Sequence, residues 1–140
     1  MEFIGDKMKA WTLPANDVIE AVAKQLESNA EIKAPEWVNA VKTGSHAERT
    51  PDEEGFWFKR CASLLLSLSK RPSGVQRLRN KYGGRTTHTV GGHHHRKAGG
   101  KIIRLALQQL EKAGFIKKEK TGRTVSPAGI SFMEKAVKAE

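Results

Sequence analysis

Lys70-Arg71-Pro72-Ser73-Gly74-Val75-Gln76-Arg77-Leu78-Arg79-Asn80-Lys81-Tyr82-Gly83-Gly84 is the stretch on which the fold turns. Pro72 lacks a backbone N–H and clashes with a preceding turn, so a helix arriving from upstream stops here. Ser73 with Gln76 three positions on reads as a capping box that opens a new helix. Val75, Leu78 and Tyr82 share one face of it, while Gln76, Arg77, Arg79, Asn80 and Lys81 take the other. Gly83-Gly84 closes it. So short a helix, pinned between a proline and two glycines, joins longer elements, and its neighbours define the architecture.

Upstream, Thr50-Pro51-Asp52-Glu53 combines an N-cap threonine, proline at the first helical position and glutamate at the third, with Lys70-Arg71 at the far end. The spacing predicts a helix whose core stripe is Trp57, Cys61, Leu64, Leu65 and Leu68, widened by Phe58 and Ala62. Downstream, Lys101 to Ala113 buries Ile103, Ala106, Leu107 and Leu110, and presents Lys101, Arg104, Gln108 and Glu111. Gly114 caps it. Phe115 to Lys120, a Thr121-Gly122 turn and Arg123-Thr124-Val125 make a small hairpin. Helix, short capped helix, longer helix and hairpin follow in the order of a winged helix-turn-helix, expected over about 50–126.

Further helices flank that core. Asp17 with Glu20 reads as an N-cap ahead of Val18, Ile19, Val22, Ala23 and Leu26, with an end near Ser28. Ala34-Pro35-Glu36 starts a short helix through Trp37, Val38 and Val41 that stops at Thr43-Gly44. Ser126-Pro127 starts the last, with Ile130, Met133 and Val137 inward. The expected fold is mainly α: a winged-helix-like core, a small β-hairpin, and extra N- and C-terminal helices in one domain over 1–140.

Charge is distributed as unevenly as structure. Gly55 to Leu110 holds 12 of the 25 Lys/Arg and none of the 15 acids, whereas the whole chain nets +10. A cationic excess confined to one continuous segment projects a positive field from one side of the fold, which suits a polyanion. Solvated helix faces ordinarily mix signs, so the basic faces of the short helix (Arg77, Arg79, Lys81) and the longer one (Lys101, Arg104) read as phosphate contacts. Guanidinium forks pair bidentately with phosphate, and lysine adds point charge. Replacing Arg77, Arg79 and Lys81 together is expected to weaken binding with little effect on stability. Arg60, inside an otherwise apolar helix, is either an exposed helix residue or reaches out beside Lys70 and Arg71 to a shared phosphate patch.

Between the two basic helices, residues 83–100 carry six Gly, four His and three Lys/Arg, a long loop. Gly83-Gly84-Arg85 and Arg96-Lys97-Ala98-Gly99-Gly100 either bring backbone amides close to a phosphate or form a loose connector. They match neither a Walker loop nor a dinucleotide fingerprint, so no nucleotide cofactor is expected. His93-His94-His95, with His88, lacks any Cys or carboxylate in the block to complete a metal site, and His94 suits base stacking or a phosphate hydrogen bond better. No nucleophile with an orienting partner supports an enzyme. Trp11, Trp37 and Trp57 read as core, and the single Cys61, among apolar neighbours, as a small buried thiol. Met1-Glu2-Phe3-Ile4-Gly5-Asp6 puts acids where a signal peptide needs a basic region, and the longest greasy run, Ala62 to Leu68, is too short for a membrane span. A cytoplasmic protein with no membrane partner is expected.

The segments together resemble the S19e family of archaeal and eukaryotic small-subunit ribosomal proteins. The likeness rests on Pro35-Glu36-Trp37-Val38 with Val41-Lys42-Thr43-Gly44; Phe56-Trp57-Phe58 with Arg60-Cys61-Ala62-Ser63; Gly74-Val75 through Tyr82-Gly83-Gly84-Arg85; His94 to Gly99; and Leu107-Gln108-Gln109-Leu110-Glu111 with Gly122-Arg123 and Pro127-Ala128-Gly129. The resemblance implies a structural protein that binds ribosomal RNA in the head of the small subunit, supports subunit maturation and adjoins other ribosomal proteins. Carried over, it points to Arg60, Arg77, Arg79, Lys81, Arg85, Arg96, Lys97, Lys101 and Arg104 as RNA-facing. Where family members often have a basic residue three positions after the Ala-Ser pair, this chain has Leu66, so that contact is either absent or supplied by Lys70 or Arg71. The alternative of a different class is a winged-helix DNA-binding regulator, which would dimerise through an apolar terminal helix and read bases from its third helix. Here the terminal helices are no greasier than one core face requires, so a monomer off the ribosome is expected.

Overall fold

The computed structural model describes residues 9–38, 43, 55–85, 95–120 and 122–139. In chain order the elements are α1 (Lys9–Thr12), α2 (Ala15–Leu26), α3 (Phe56–Lys70), α4 (Val75–Tyr82), β1 (Gly84–Arg85), β2 (His95–Arg96), α5 (Gly100–Lys112), β3 (Ile116–Glu119), β4 (Gly122–Val125) and α6 (Pro127–Ala139). The fold is mainly helical, and α3, α4, α5 and the β3–β4 hairpin form the winged-helix-like unit expected from their order.

Helix α3 is the central element, packed against α2 on one side and against α5 and β4 on others. Encirclement explains why its buried set outgrows a single stripe: Trp57, Cys61, Ala62, Leu64, Leu65, Leu66 and Leu68 are all buried, while Phe58 is only half-buried. Each large aliphatic or aromatic side chain so buried contributes about 1.5–3 kcal/mol. Leu66 therefore belongs to the core, at 6% exposure, and no solvent contact issues from that position. The inward faces of the other helices agree with their periodicity, with Val18, Val22 and Leu26 on α2, Leu78 on α4, Ile103, Leu107 and Leu110 on α5, and Met133 and Val137 on α6.

Several helix starts differ from the sequence reading. Helix α3 begins at Phe56 rather than Pro51, because Gly55 takes φ 72°, a left-handed conformation through which no helix continues; Thr50 to Glu54 lie outside the described residues. Helix α2 begins at Ala15 after Pro14, which fixes the extended entry (φ −56°, ψ 136°), so Asp17 sits within the first turn and complements the helix dipole instead of capping. Residues 36–38 form a turn with Val38 N–H donating to the Pro35 carbonyl at 3.2 Å; Val41 and Gly44 fall outside the described residues.

Ser73 is the most informative correction. It makes no capping bond to α4; its backbone pairs with Arg123 of β4 in both directions, at 3.1 and 2.9 Å, and its hydroxyl turns to the Arg71 carbonyl. The connector between α3 and α4 thereby adds a rung to the wing, whose own register pairs Ile116 with Val125, Lys117 with Thr124, Lys118 with Arg123 and Glu119 with Gly122. Gly122 permits the approach: its φ is 123°, and a Cβ there would lie 2.6 Å from the Ser73 carbonyl carbon.

The long loop after α4 also has structure at its base. Gly84 pairs with Arg96 and Arg85 with His95, an antiparallel pair of two-residue strands. At Gly83 the chain passes so near the Arg96 carbonyl that a side chain has no room. Gly114 (φ 86°) ends α5 as expected, and the Ser126 hydroxyl caps α6 by accepting from Gly129 N–H at 3.2 Å.

Candidate nucleic-acid interface

The end of α3 and the outer face of α4 enclose a cleft of about 360 Å³ lined by Ser67, Lys70, Arg71, Ser73, Arg77, Leu78, Asn80 and Lys81. Local chain geometry assembles it. The chain leaves α3 at Arg71 in an extended conformation and, past Pro72, re-enters a helix at Val75. Arg77 and Lys81, four apart, then stand on one face of α4 beside Lys70 and Arg71. Four cations share a lining that contains no carboxylate. Lys81 Nζ donates to Ser67 Oγ, and burial, with the nearby Lys70 charge, holds its pKa below the usual lysine range. Gathered like charges repel, and a phosphate chain relieves that repulsion.

The remaining sequence-selected cations divide by role. Arg79 turns toward the loop: its Nε donates to the Ala98 carbonyl at 2.7 Å while its own carbonyl accepts from Ala98 N–H at 2.8 Å. Arg104, exposed on α5, and Arg79 both reach the Gly100 position, where a Cβ would lie 3.2 Å from Arg104 Nη2 and 3.4 Å from Arg79 Cδ. Lys97 Nζ donates to Gln76 Oε1 at 3.1 Å, and Lys101 Nζ lies 4.6 Å from the centre of the Trp37 ring. Arg85 and Arg96 are exposed on the β1–β2 ladder. His88, His93 and His94 lie outside the described residues, His95 is exposed on β2, and among the described residues no cluster could hold a metal ion.

Arg60 does not reach Lys70 and Arg71. Its guanidinium lies 4.3 Å from the Tyr82 ring centre and 5.1 Å from that of Phe56, and lines a different cleft, bordered by Asn16, Ile19, Glu20, Phe56, Lys59, Ser63 and Tyr82. Burial lowers its pKa and raises that of Tyr82, whose hydroxyl is 2.6 Å from Ser63 Oγ. Burial pushes the neighbouring Cys61 thiol up to about 12, the inert state of a core cysteine.

Three polar residues that organise the site escaped the sequence reading. Ser63 and Ser67, four apart on α3, receive Tyr82 and Lys81 of α4; two serines at helical spacing in an apolar helix were the available signal. Gln109 has no such signal. Its Oε1 accepts from Trp57 Nε1 at 2.9 Å and Lys33 N–H at 3.2 Å, and its Nε2 donates to the Lys33 carbonyl at 2.9 Å, which fastens the segment after α2 to α3 and α5. Glu111, expected on the solvent side, is half-buried in an ion pair with Arg123 and ties α5 to the wing.

A family model described as ribosomal protein S19e matches residues 9–139. The small ribosomal subunit protein eS19 of Aeropyrum pernix is 42% identical over 131 residues, which cover 91% of this chain and 86% of that protein. The protein of the same name from Haloarcula marismortui is 40% identical over 130 residues, 89% and 85% of the two chains. Small ribosomal subunit protein eS19B of Schizosaccharomyces pombe is 33% identical over 117 residues, 82% of each.

Proposed function

The chain belongs to the ribosomal protein S19e family, and on that premise we propose that it is a structural component of the small ribosomal subunit, not an enzyme. It binds ribosomal RNA in the subunit head as a single domain, supports small-subunit assembly, and resides on cytoplasmic ribosomes beside other ribosomal proteins, being monomeric away from them. The observation that carries this reading is the convergence of Lys70, Arg71, Arg77 and Lys81 on one cleft without an acid. Phosphate is the group such a lining recognises. Arg85, Arg96, Lys97, Lys101 and Arg104, with His94, extend the contact along the loop and the start of α5. Arg79 supports it by fixing the loop, and Arg60 contributes from its own cleft.

Sedimentation of cell extract tests the proposal. The protein should travel with small subunits and leave them only at high salt, since phosphate contacts weaken steeply as counterions compete. A dimer that prefers one palindromic DNA duplex over ribosomal RNA would overturn it in favour of a DNA regulator.

A further inference from the structure

The two clefts that flank α4 differ in chemistry as much as they agree in size. The α3–α4 cleft, about 360 Å³, is lined by four cations and suits a phosphate. The cleft between α2 and α3, about 390 Å³, combines an apolar wall of Ile19 and Phe56 with a carboxylate (Glu20), a carboxamide (Asn16), a hydroxyl (Ser63), the Lys59 ammonium and the Arg60 guanidinium. Both volumes fall in the roughly 300–1,000 Å³ range of small-ligand pockets. The Glu20 carboxylate beside Lys59 and Arg60 disfavours a second phosphate, whereas apolar surface with mixed donors and acceptors suits a heteroaromatic base.

Arg60 and Glu20 make the case specific. The Arg60 guanidinium is held against the Phe56 and Tyr82 rings, and it makes no hydrogen bond or ion pair among the described residues, so its N–H groups are committed to no acceptor. Glu20, exposed on α2, likewise has no cationic partner among them. The charged groups set donors on α3 (Arg60, Lys59) against an acceptor on α2 (Glu20), while the Asn16 carboxamide and the Ser63 hydroxyl can serve as either. The base that presents two adjacent acceptors to a guanidinium (O6 and N7) and two adjacent donors to a carboxylate (N1–H and the N2 amino group) is guanine. Adenine would set its N6 amino donor against the guanidinium.

We propose that the cleft between α2 and α3 holds one unstacked guanine of the RNA, with Arg60 on its O6/N7 edge, Glu20 on its N1/N2 edge and Phe56 against its face. The inference rests on the RNA-binding reading and adds base selectivity that phosphate contacts do not provide.

Short RNAs distinguish the two. With the full chain at low salt, the single-stranded pentamers AAGAA and AAAAA are compared by fluorescence anisotropy, and the Arg60 Nε–H resonance is followed by NMR. The guanine-containing strand should bind at least about five-fold more tightly, the lower bound for one bidentate base contact, and should alone shift the Arg60 signal. Glu20→Gln, an exposed change whose thermal melt should match the parent, should reduce the preference while leaving the part that Arg60 supplies. Arg77→Ala with Lys81→Ala should weaken both strands equally and leave the preference intact. Equal affinity for the two strands, or a preference undiminished by Glu20→Gln, overturns the guanine site alone. Failure of both pentamers to bind overturns it together with the RNA-binding reading.

Discussion

Arg79 and Ala98 hold each other by both ends. The Ala98 amide donates to the Arg79 carbonyl at 2.8 Å, and Arg79 Nε donates to the Ala98 carbonyl at 2.7 Å. Ala98 is 1% exposed, so the far end of the loop is stapled to α4 at a buried point. On charge alone Arg79 looks interchangeable with Arg77. Geometry separates them: Arg77 is exposed in the cleft, and Arg79 is half-buried against the loop. The joint Arg77, Arg79 and Lys81 substitution is therefore not expected to leave stability untouched. Arg79→Ala should cost about 1–3 kcal/mol, as for a charged hydrogen bond whose acceptor stays buried, and should speed amide exchange in 83–85 and 95–98. Arg77→Ala should stay within about 0.5 kcal/mol. Urea unfolding of the two variants with hydrogen exchange checks the contrast.

The same pair shows what the sequence could disclose. Helix periodicity located the buried faces because burial follows a 3.6-residue repeat whatever the partner is. The acid-free block located the basic side because charge balance is a property of composition. Neither tells which cation is free, since Arg79, Lys97 and Lys101 find partners at distances along the chain that no local pattern encodes. The pattern around Ser73 misleads for the same reason. Its local pattern is a cap, and a residue 50 positions later, Arg123, claims its backbone. Gly55 shows the converse: an intact capping motif at Thr50-Pro51 does not reveal that the helix starts only after a left-handed glycine.

Salt dependence should count the cations of the α3–α4 cleft. If Arg77 and Lys81 each neutralise one phosphate, the double alanine variant loses about 0.7–0.9 from the slope of log affinity against log salt per residue removed, or roughly 1.5 in all. Binding to small-subunit RNA measured across a salt series gives the slope. An unchanged slope with weakened binding would assign these residues to shaping the cleft rather than touching phosphate.

Gln109 is expected to be worth more to stability than any exposed residue of α5. Its removal leaves Trp57 Nε1, on a side chain 1% exposed, and both backbone groups of Lys33 without their partner. An orphaned buried donor costs about 1–3 kcal/mol. Gln109→Ala should fall in or above that range by denaturant unfolding, with altered Trp57 emission in the native state, whereas Gln108→Ala, at an exposed neighbour, should be nearly silent.

Gly129 is buried where α6 crosses the end of the wing, and a Cβ there would run into the Phe115 carbonyl and lie 2.6 Å from Val125 Cγ1. Its backbone is not left-handed, so the demand is for space alone. Gly129→Ala should cost about 1–3 kcal/mol from overpacking, despite the better helix propensity of alanine, and Val125→Ala in the same chain should recover part of the loss. Thermal unfolding of the single and double variants separates crowding from propensity.

Lys81 makes RNA affinity depend on pH in a definite direction. Its pKa in the free protein lies below 10.5, first because burial disfavours the ammonium and then because Lys70 repels it. A bound phosphate favours the charged form, so the pKa rises on binding and the complex takes up a proton. Affinity should therefore be full below the lowered pKa of the free protein and decline as pH rises through it, beginning before an ordinary lysine would titrate. Lys70→Ala removes the repulsion and should move the onset upward. Lys81→Arg, charged throughout, should abolish the decline. Titration of a hydrolysis-resistant 2′-O-methyl RNA from about pH 7 to about pH 9.5 reads these shifts directly. If the parent and Lys81→Arg proteins lose affinity at the same pH, Lys81 does not meet phosphate, and the cleft's charge must act at longer range.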